Sequence, residues 1–346
     1  MTEPFLIRDA RVEPGQRKTV SLRVARLYDH TQMAIPVHVI HGKRPGPVLF
    51  VSAAIHGDEI NGVEIIHRLL QQKKLANLKG TLLAIPIVNV FGFNAKSRYL
   101  PDRRDLNRSF PGSKKGSMAS RLAHVFMREI VRRSNYGIDL HTGAIHRTNL
   151  PQIRACLDQP ETRRLAEAFG TPVILNSDIR DGSLRGAAQE RDIPILLYEG
   201  GEALRFDEAT IRTGIAGIVA VMRAIEMLPP ARVGGRSGKS RNTFVALSSH
   251  WVRAQRSGIL RTTRKPGDRV EAGDLLGIIA GPMGERPVLL RAPETGVIVG
   301  QATLPLLNRG EAIFHIATFK DSQKVEEHID DAREEFFAGD TNGLPG

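Results

Sequence analysis

Four residues, His56-Gly57-Asp58-Glu59, place an imidazole and a carboxylate three residues apart, directly after the apolar run 47–55. A buried strand that ends there would deliver both groups to the rim of a sheet. Two ligands do not hold a metal, but a second strand-like segment, 136–140, runs into His141. Two histidines and one glutamate are the three-protein-ligand set of catalytic zinc sites, which leave the fourth position to water. A third strand-like run, 193–198, leads into Glu199, a candidate general base. The chemistry that fits is hydrolysis assisted by one Zn2+ per chain.

These side chains need a sheet to converge on. The segment before residue 46 has strand character, notably over 34–40, and from Pro47 the pattern becomes strand, helix, strand. Helices are expected at 61–72, where Val63, Ile66, Leu69 and Leu70 share a face, and at 118–132, 161–169 and 211–227. Buried strands are expected at 81–88 and 172–175 as well as before His56, His141 and Glu199. Apolar strands alternating with helices indicate an α/β fold with a parallel or mixed sheet.

Composition narrows the partners. The net charge of +12 is carried by scattered basic residues, with no continuous stripe and no interleaved aromatics of the kind that binds single-stranded nucleic acid. The reading is a solvated basic surface with a few arginines turned inward toward a carboxylate, not a nucleic-acid binder. No apolar run approaches the roughly 18–20 residues of a membrane span. A single cysteine, Cys156, excludes an internal disulfide framework. With no signal-like start, a cytoplasmic protein without membrane partners is expected, with homo-oligomerisation left open.

The boundaries read from periodicity are 1–45 for a β-rich opening segment, 46–228 for a catalytic domain, 229–242 for a linker, 243–320 for a β domain and 321–346 for a charged tail. The linker contains Gly238-Lys239-Ser240, but a phosphate-binding loop requires glycine where Val233 stands. After it come short strands separated by Gly, Pro and Asp, at 243–247, 258–262, 269–270, 275–280, 288–292, 296–300 and 312–317. This pattern resembles a barrel-sandwich hybrid of the lipoyl/biotinyl type. The hairpin around Pro282-Met283 has no carrier lysine, so the expected role is to wall the cleft or to support oligomer contacts.

In order along the chain, His56-Gly57-Asp58-Glu59, Asp105-Leu106-Asn107-Arg108, Asp139-Leu140-His141 and Glu199-Gly200-Gly201 resemble the succinylglutamate desuccinylase/aspartoacylase family over about residues 45–225. The resemblance implies a zinc-carboxypeptidase-like mixed sheet flanked by helices, followed by a smaller all-β domain. It implies zinc ligands His56, Glu59 and His141, and a pair, Asn107 and Arg108, that holds the substrate carboxylate. A guanidinium can grip a carboxylate with two parallel charge-assisted bonds, and an amide adds a donor. Arg98 matches the arginine that polarises the scissile carbonyl, with Arg103 and Arg104 as alternatives because the interval to Asp105 is longer here. Glu199 matches the glutamate that moves a proton from water to the leaving amine. Asp139 is either the outer partner of a ligand or a structural carboxylate. Trp251 either shapes the cleft or packs between domains.

The expected activity is removal of a succinyl or acetyl group from a small N-acyl amino acid. A zinc carboxypeptidase acting on short peptides is the alternative. A catalytically silent zinc-binding module would lack Glu199 or a ligand, and all are present.

Overall fold

Strand Arg44–Ala53 lies between two parallel neighbours, Lys79–Ile85 and Tyr136–Gly143, and Ile195–Glu202 extends the parallel set beyond Tyr136–Gly143. The computed structural model describes residues 2–178, 180–231, 243–283 and 285–338. Antiparallel strands flank the parallel centre, Gln32–His41 and Arg17–Arg26 on one side and Arg147–Ala155 on the other. The result is a mixed α/β architecture around one large sheet, which among the described residues has thirteen strands.

The central strands read as unbroken apolar runs because both faces are covered. Side chains alternate between faces along a strand, so Leu49, Val51 and Ala53 enter one apolar layer while Phe50 enters the other. Helices Asn61–Leu70, Pro160–Phe169 and Glu208–Ala224 cover the first face. Helix Met118–Glu129 and the short helices Val90–Ala95 and Leu184–Gln189 cover the second. In helix Asn61–Leu70 the buried apolar residues are Ile65, Ile66 and Leu69, each contributing about 1.5–3 kcal/mol by burial. Val63 and Leu70, expected on that face, are only half-buried because Ile65 takes the inner position. Ser117 and Asp207 start the two longer helices, each accepting a bond from a backbone N–H in the first turn.

Two strand boundaries differ from expectation. The strands carrying His141 and Glu199 continue to Gly143 and Glu202. Parallel pairing pairs Glu199 with His141 in register, and an irregularity then carries the ladder on to the pairing of Glu202 with Gly143. The polar and glycine residues that read as strand ends are thus strand residues at the carboxyl side of a parallel sheet, where ligands of α/β folds collect.

Strand Arg147–Ala155, whose mixed polar pattern gives no clear strand signal, joins the two halves of the chain. It pairs with Ile195–Glu202 on one side and with Gly296–Ala302 on the other. Through it, Gly296–Ala302, Ala312–Thr318 and Ser248–Arg253 extend the central sheet. Gly258–Thr262, Leu275–Ala280, Val288–Arg291 and Leu306–Leu307 form a separate four-stranded sheet. The strand expected at 243–247 is Phe244–Ala246, paired with Val173–Asn176. Helix Ser322–Ala338 occupies the first part of the charged tail. From residue 232 the assigned linker, and the tail beyond Ala338, lie outside the described residues.

The His56 loop is fixed by a close backbone approach. A Cβ on Gly57 would fall 2.0 Å from the carbonyl carbon of Gly92 and 2.1 Å from the nitrogen of Phe93. Neither backbone atom can yield as a side chain would. Gly57→Ala is therefore expected to lower unfolding stability by at least about 1–3 kcal/mol, measured by chemical denaturation. A variant as stable as the parent would show that the loop and the Val90–Ala95 helix are not locked together.

Candidate active site

Glu59 is almost wholly buried and lies between two imidazoles. Its Oε1 is 2.7 Å from His56 Nδ1, and its Oε2 is 2.8 Å from His141 Nδ1. The far nitrogens meet two further carboxylates: His56 Nε2 lies 3.1 Å from Asp105 Oδ1, and His141 Nε2 lies 2.8 Å from Asp139 Oδ2. Ser52 Oγ donates to Asp139 at 2.8 Å, and the Thr142 backbone N–H donates to Glu59 Oε2 at 3.1 Å. One donor atom from each of His56, Glu59 and His141 lies within 4.8 Å of the others.

Burial alone would discharge these groups, and their mutual contacts reverse it. For His141, burial favours the neutral ring, but Asp139 and Glu59 raise its pKa well above the ordinary imidazole value. His56 is opposed by burial and raised by Glu59 and Asp105. Burial pushes Glu59 up, but the two imidazoles bring it well below the usual carboxylate range. Asp105 behaves likewise, lowered by His56 and Arg98 against its burial.

This arrangement fits a metal. Two imidazoles and one carboxylate are the donor set of catalytic zinc centres, and ligand histidines hand their other ring nitrogen to a carboxylate that fixes the ring. Asp139 is such a partner, two residues before His141 on the same strand face. Asp105 is the corresponding partner of His56. The sequence motif gives it no role, because a separation of 49 positions along the chain hides the contact.

Beside this centre lies a cavity of about 320 Å³, and His56, Glu59, Arg98, Asn107, Arg108, His141 and Glu199 all line it. Arg98 donates to Glu59 Oε1 at 3.2 Å and to Asp105 Oδ2 at 3.1 Å. The alternatives Arg103 and Arg104 are exposed and do not line the cavity. Asn107 Oδ1 accepts from the Leu184 N–H at 2.9 Å, which leaves its amide NH2 as a donor. Arg108 lines the mouth and donates to the Asn107 carbonyl.

Glu199 lies 2.6 Å from Arg154 Nε, an ion pair too poorly aligned to be a hydrogen bond. The strand carries an irregularity just after Glu199, where Gly201 takes φ +71°. Asn61, at the start of its helix, holds that irregularity by donating to the Gly200 carbonyl, and it also accepts from the Asp207 N–H. Trp251 both lines the cavity and stacks on His315, with ring centroids 4.7 Å apart.

Residues 45–225, more than half of the chain, match the family model described as the succinylglutamate desuccinylase/aspartoacylase catalytic domain. The chain belongs to this family. It is similar to N-alpha-acetyl-L-2,4-diaminobutyric acid deacetylase of Halomonas elongata, at 28% identity over 305 residues, covering 83% of this chain and 86% of that protein. Its fold is similar to that of a succinylglutamate desuccinylase/aspartoacylase from Rhodobacter sphaeroides, with TM-score 0.77 and 24% identity, covering 88% of this chain and 95% of that one. The product-bound ectoine utilization protein EutE (DoeB) from Ruegeria pomeroyi also has TM-score 0.77, at 22% identity, with the same coverage of 88% and 95%. Family membership makes the chain an amide-hydrolysing enzyme.

Protons and a metal compete for the same imidazole atoms. Because the His141 and His56 pKa values are raised, more of the rings are protonated at a given pH, and binding must expel those protons. The apparent affinity for Zn2+ should therefore fall as pH drops, by up to about tenfold per unit for each proton expelled. Titration calorimetry in buffers of different ionisation enthalpy would count those protons, and a pH-independent affinity would contradict the site. Asp139→Asn should weaken Zn2+ binding by about 10–100-fold.

Proposed function

We propose that the chain is a zinc-dependent amidohydrolase that removes a succinyl or acetyl group from an N-acyl amino acid. The observation that carries this reading is the buried His56–Glu59–His141 trio opening onto one cavity with Glu199 and Arg108. The resemblance to a deacetylase of N-alpha-acetyl-L-2,4-diaminobutyric acid supports an N-acyl amino acid as the substrate class. His56, Glu59 and His141 would hold the zinc, which when bound supplies a Lewis acid and lowers the pKa of a coordinated water.

The remaining roles fall to the chain's own residues. Arg108, with the free amide NH2 of Asn107, grips the carboxylate of the amino acid and orients the acyl amide toward the trio. Arg98, already held against Glu59 and Asp105, places a guanidinium where the carbonyl oxygen gains negative charge. Glu199 takes a proton from the attacking water and returns it to the amide nitrogen as the C–N bond breaks.

Residues 46–228 are the catalytic unit in this reading. Residues 243–320 are an appended β unit of barrel-sandwich-hybrid type that narrows the cleft with Trp251. That narrowing favours small N-acyl amino acids over peptides. The single cysteine suits a cytoplasmic setting.

Amine release from N-acetyl and N-succinyl amino acids, compared with dipeptides and repeated with a chelator, tests the reading. Release from the acyl amino acids, abolished by chelator and restored by Zn2+, is expected. Faster cleavage of dipeptides would favour a carboxypeptidase. Glu199→Gln keeps the size of the side chain and removes its basicity. Zinc and substrate should still bind, while kcat falls by roughly 10²–10⁴-fold. Near-normal turnover with zinc intact would move the base elsewhere.

A further inference from the structure

Among the described residues, Glu199 Oε2 is buried without a hydrogen-bond partner, and the Arg154 Nε 2.6 Å away is misaligned with it. A general base needs firmer support, because one oxygen must be held for the other to face its water. Strand register supplies a neighbour. Glu199 pairs with His141 on one side and with Gln152 on the other, so three adjacent strands set a ligand, the base and an amide in one row. Residues paired directly across antiparallel strands share a face, with Cβ atoms about 4.5–5.5 Å apart. Gln152 therefore stands on the flank of Glu199 away from His141.

Gln152 is wholly buried, and among the described residues neither its Nε2 nor its Oε1 has a hydrogen-bond partner. A buried amide in that state is costly, and native chains keep few of them. Its register neighbour on the far side is Val173, whose apolar side chain offers it nothing. Gln152 does not line the cavity, so it does not touch substrate. What it has beside it is Glu199, an acceptor without a donor next to a donor without an acceptor. The chemistry also suits the task. An amide donates without carrying charge, so it orients a carboxylate and leaves it more basic than a guanidinium in the same place would.

We propose that Gln152 is a positioning residue for Glu199: its amide NH2 donates to one carboxylate oxygen and so turns the other toward the attacking water. The inference rests on the hydrolase reading and deepens it. The test uses the zinc-loaded full chain and whichever N-acetyl or N-succinyl amino acid it hydrolyses fastest. Gln152→Met and Gln152→Leu both remove the donor while differing in shape, and the apolar neighbour Val173 suits either. Each should lower kcat by roughly 10–100-fold, the share of one hydrogen bond to a charged group. Zinc content should stay unchanged and KM should stay within about twofold, because Gln152 touches neither metal nor substrate. In the Glu199→Gln background no carboxylate base remains to be held, so adding Gln152→Met should lower kcat by less than about twofold.

Parent-like kcat in either zinc-loaded Gln152 variant would overturn the proposal. Equal fold-losses with and without the Glu199 carboxylate, or loss of zinc in both Gln152 variants, would reduce Gln152 to a structural residue and overturn it as well. Near-normal turnover of Glu199→Gln, or failure of the zinc-loaded parent to hydrolyse any N-acyl amino acid, would instead remove the base or the hydrolase reading, and the positioning role with it.

Discussion

One carboxylate shared by two imidazoles is the constraint on which the rest of this structure depends. Glu59 would be costly to bury as a lone charge, and its two oxygens are met by His56 and His141 from different parts of the chain, with Arg98 and the Thr142 N–H as further donors. Each imidazole in turn needs its outer nitrogen satisfied, which recruits Asp105 and Asp139. Asp139 is anchored by Ser52, and Asp105 accepts the Asn107 N–H and the Arg98 guanidinium. A chain of obligatory partners therefore links four segments, and the sheet must hold all of them in register.

The sheet supplies that register with little freedom. Ser52 pairs with Asp139 across two parallel strands, and His141 pairs with Glu199 across the next two. A slip of one residue would turn every one of these side chains to the opposite face. The apolar layers on both sides of the strands resist such a slip, because it would bring Ser52, Asp139 and His141 into hydrocarbon. Stability and chemistry are coupled here through strand pairing rather than through any single strong contact.

Sequence alone revealed what is local. His-x-x-Glu after an apolar run, an apolar strand before His141 and another before Glu199 were legible because parallel strands buried on both faces are continuously apolar. The ligand trio followed from residue type, and the reading of arginines turned inward agrees with the six that line the cavity. What was hidden is long-range. Asp105 reaches His56 across forty-nine residues, and Arg154 meets Glu199 across a pairing of antiparallel strands that no local pattern announces. Strand Arg147–Ala155 was missed because one side faces the polar cavity, so its sequence lacks the apolar run that marked its neighbours. The strand bearing Trp251 was missed for a similar reason, being edge-placed and half-exposed. Its pairing with Ala312–Thr318 could not be read from short β segments alone.

We propose that His56 and His141 present their Nδ1 atoms, together with Glu59, as one metal-binding set, while their Nε2 atoms stay on Asp105 and Asp139. Nuclear magnetic resonance of the chain with 15N-labelled histidine, loaded with 113Cd in place of zinc, reads this directly through nitrogen–cadmium coupling. Two coupled histidines are expected, both through Nδ1, with both Nε2 atoms protonated. Coupling through Nε2, coupling to a third histidine, or none at all at full cadmium loading would contradict it.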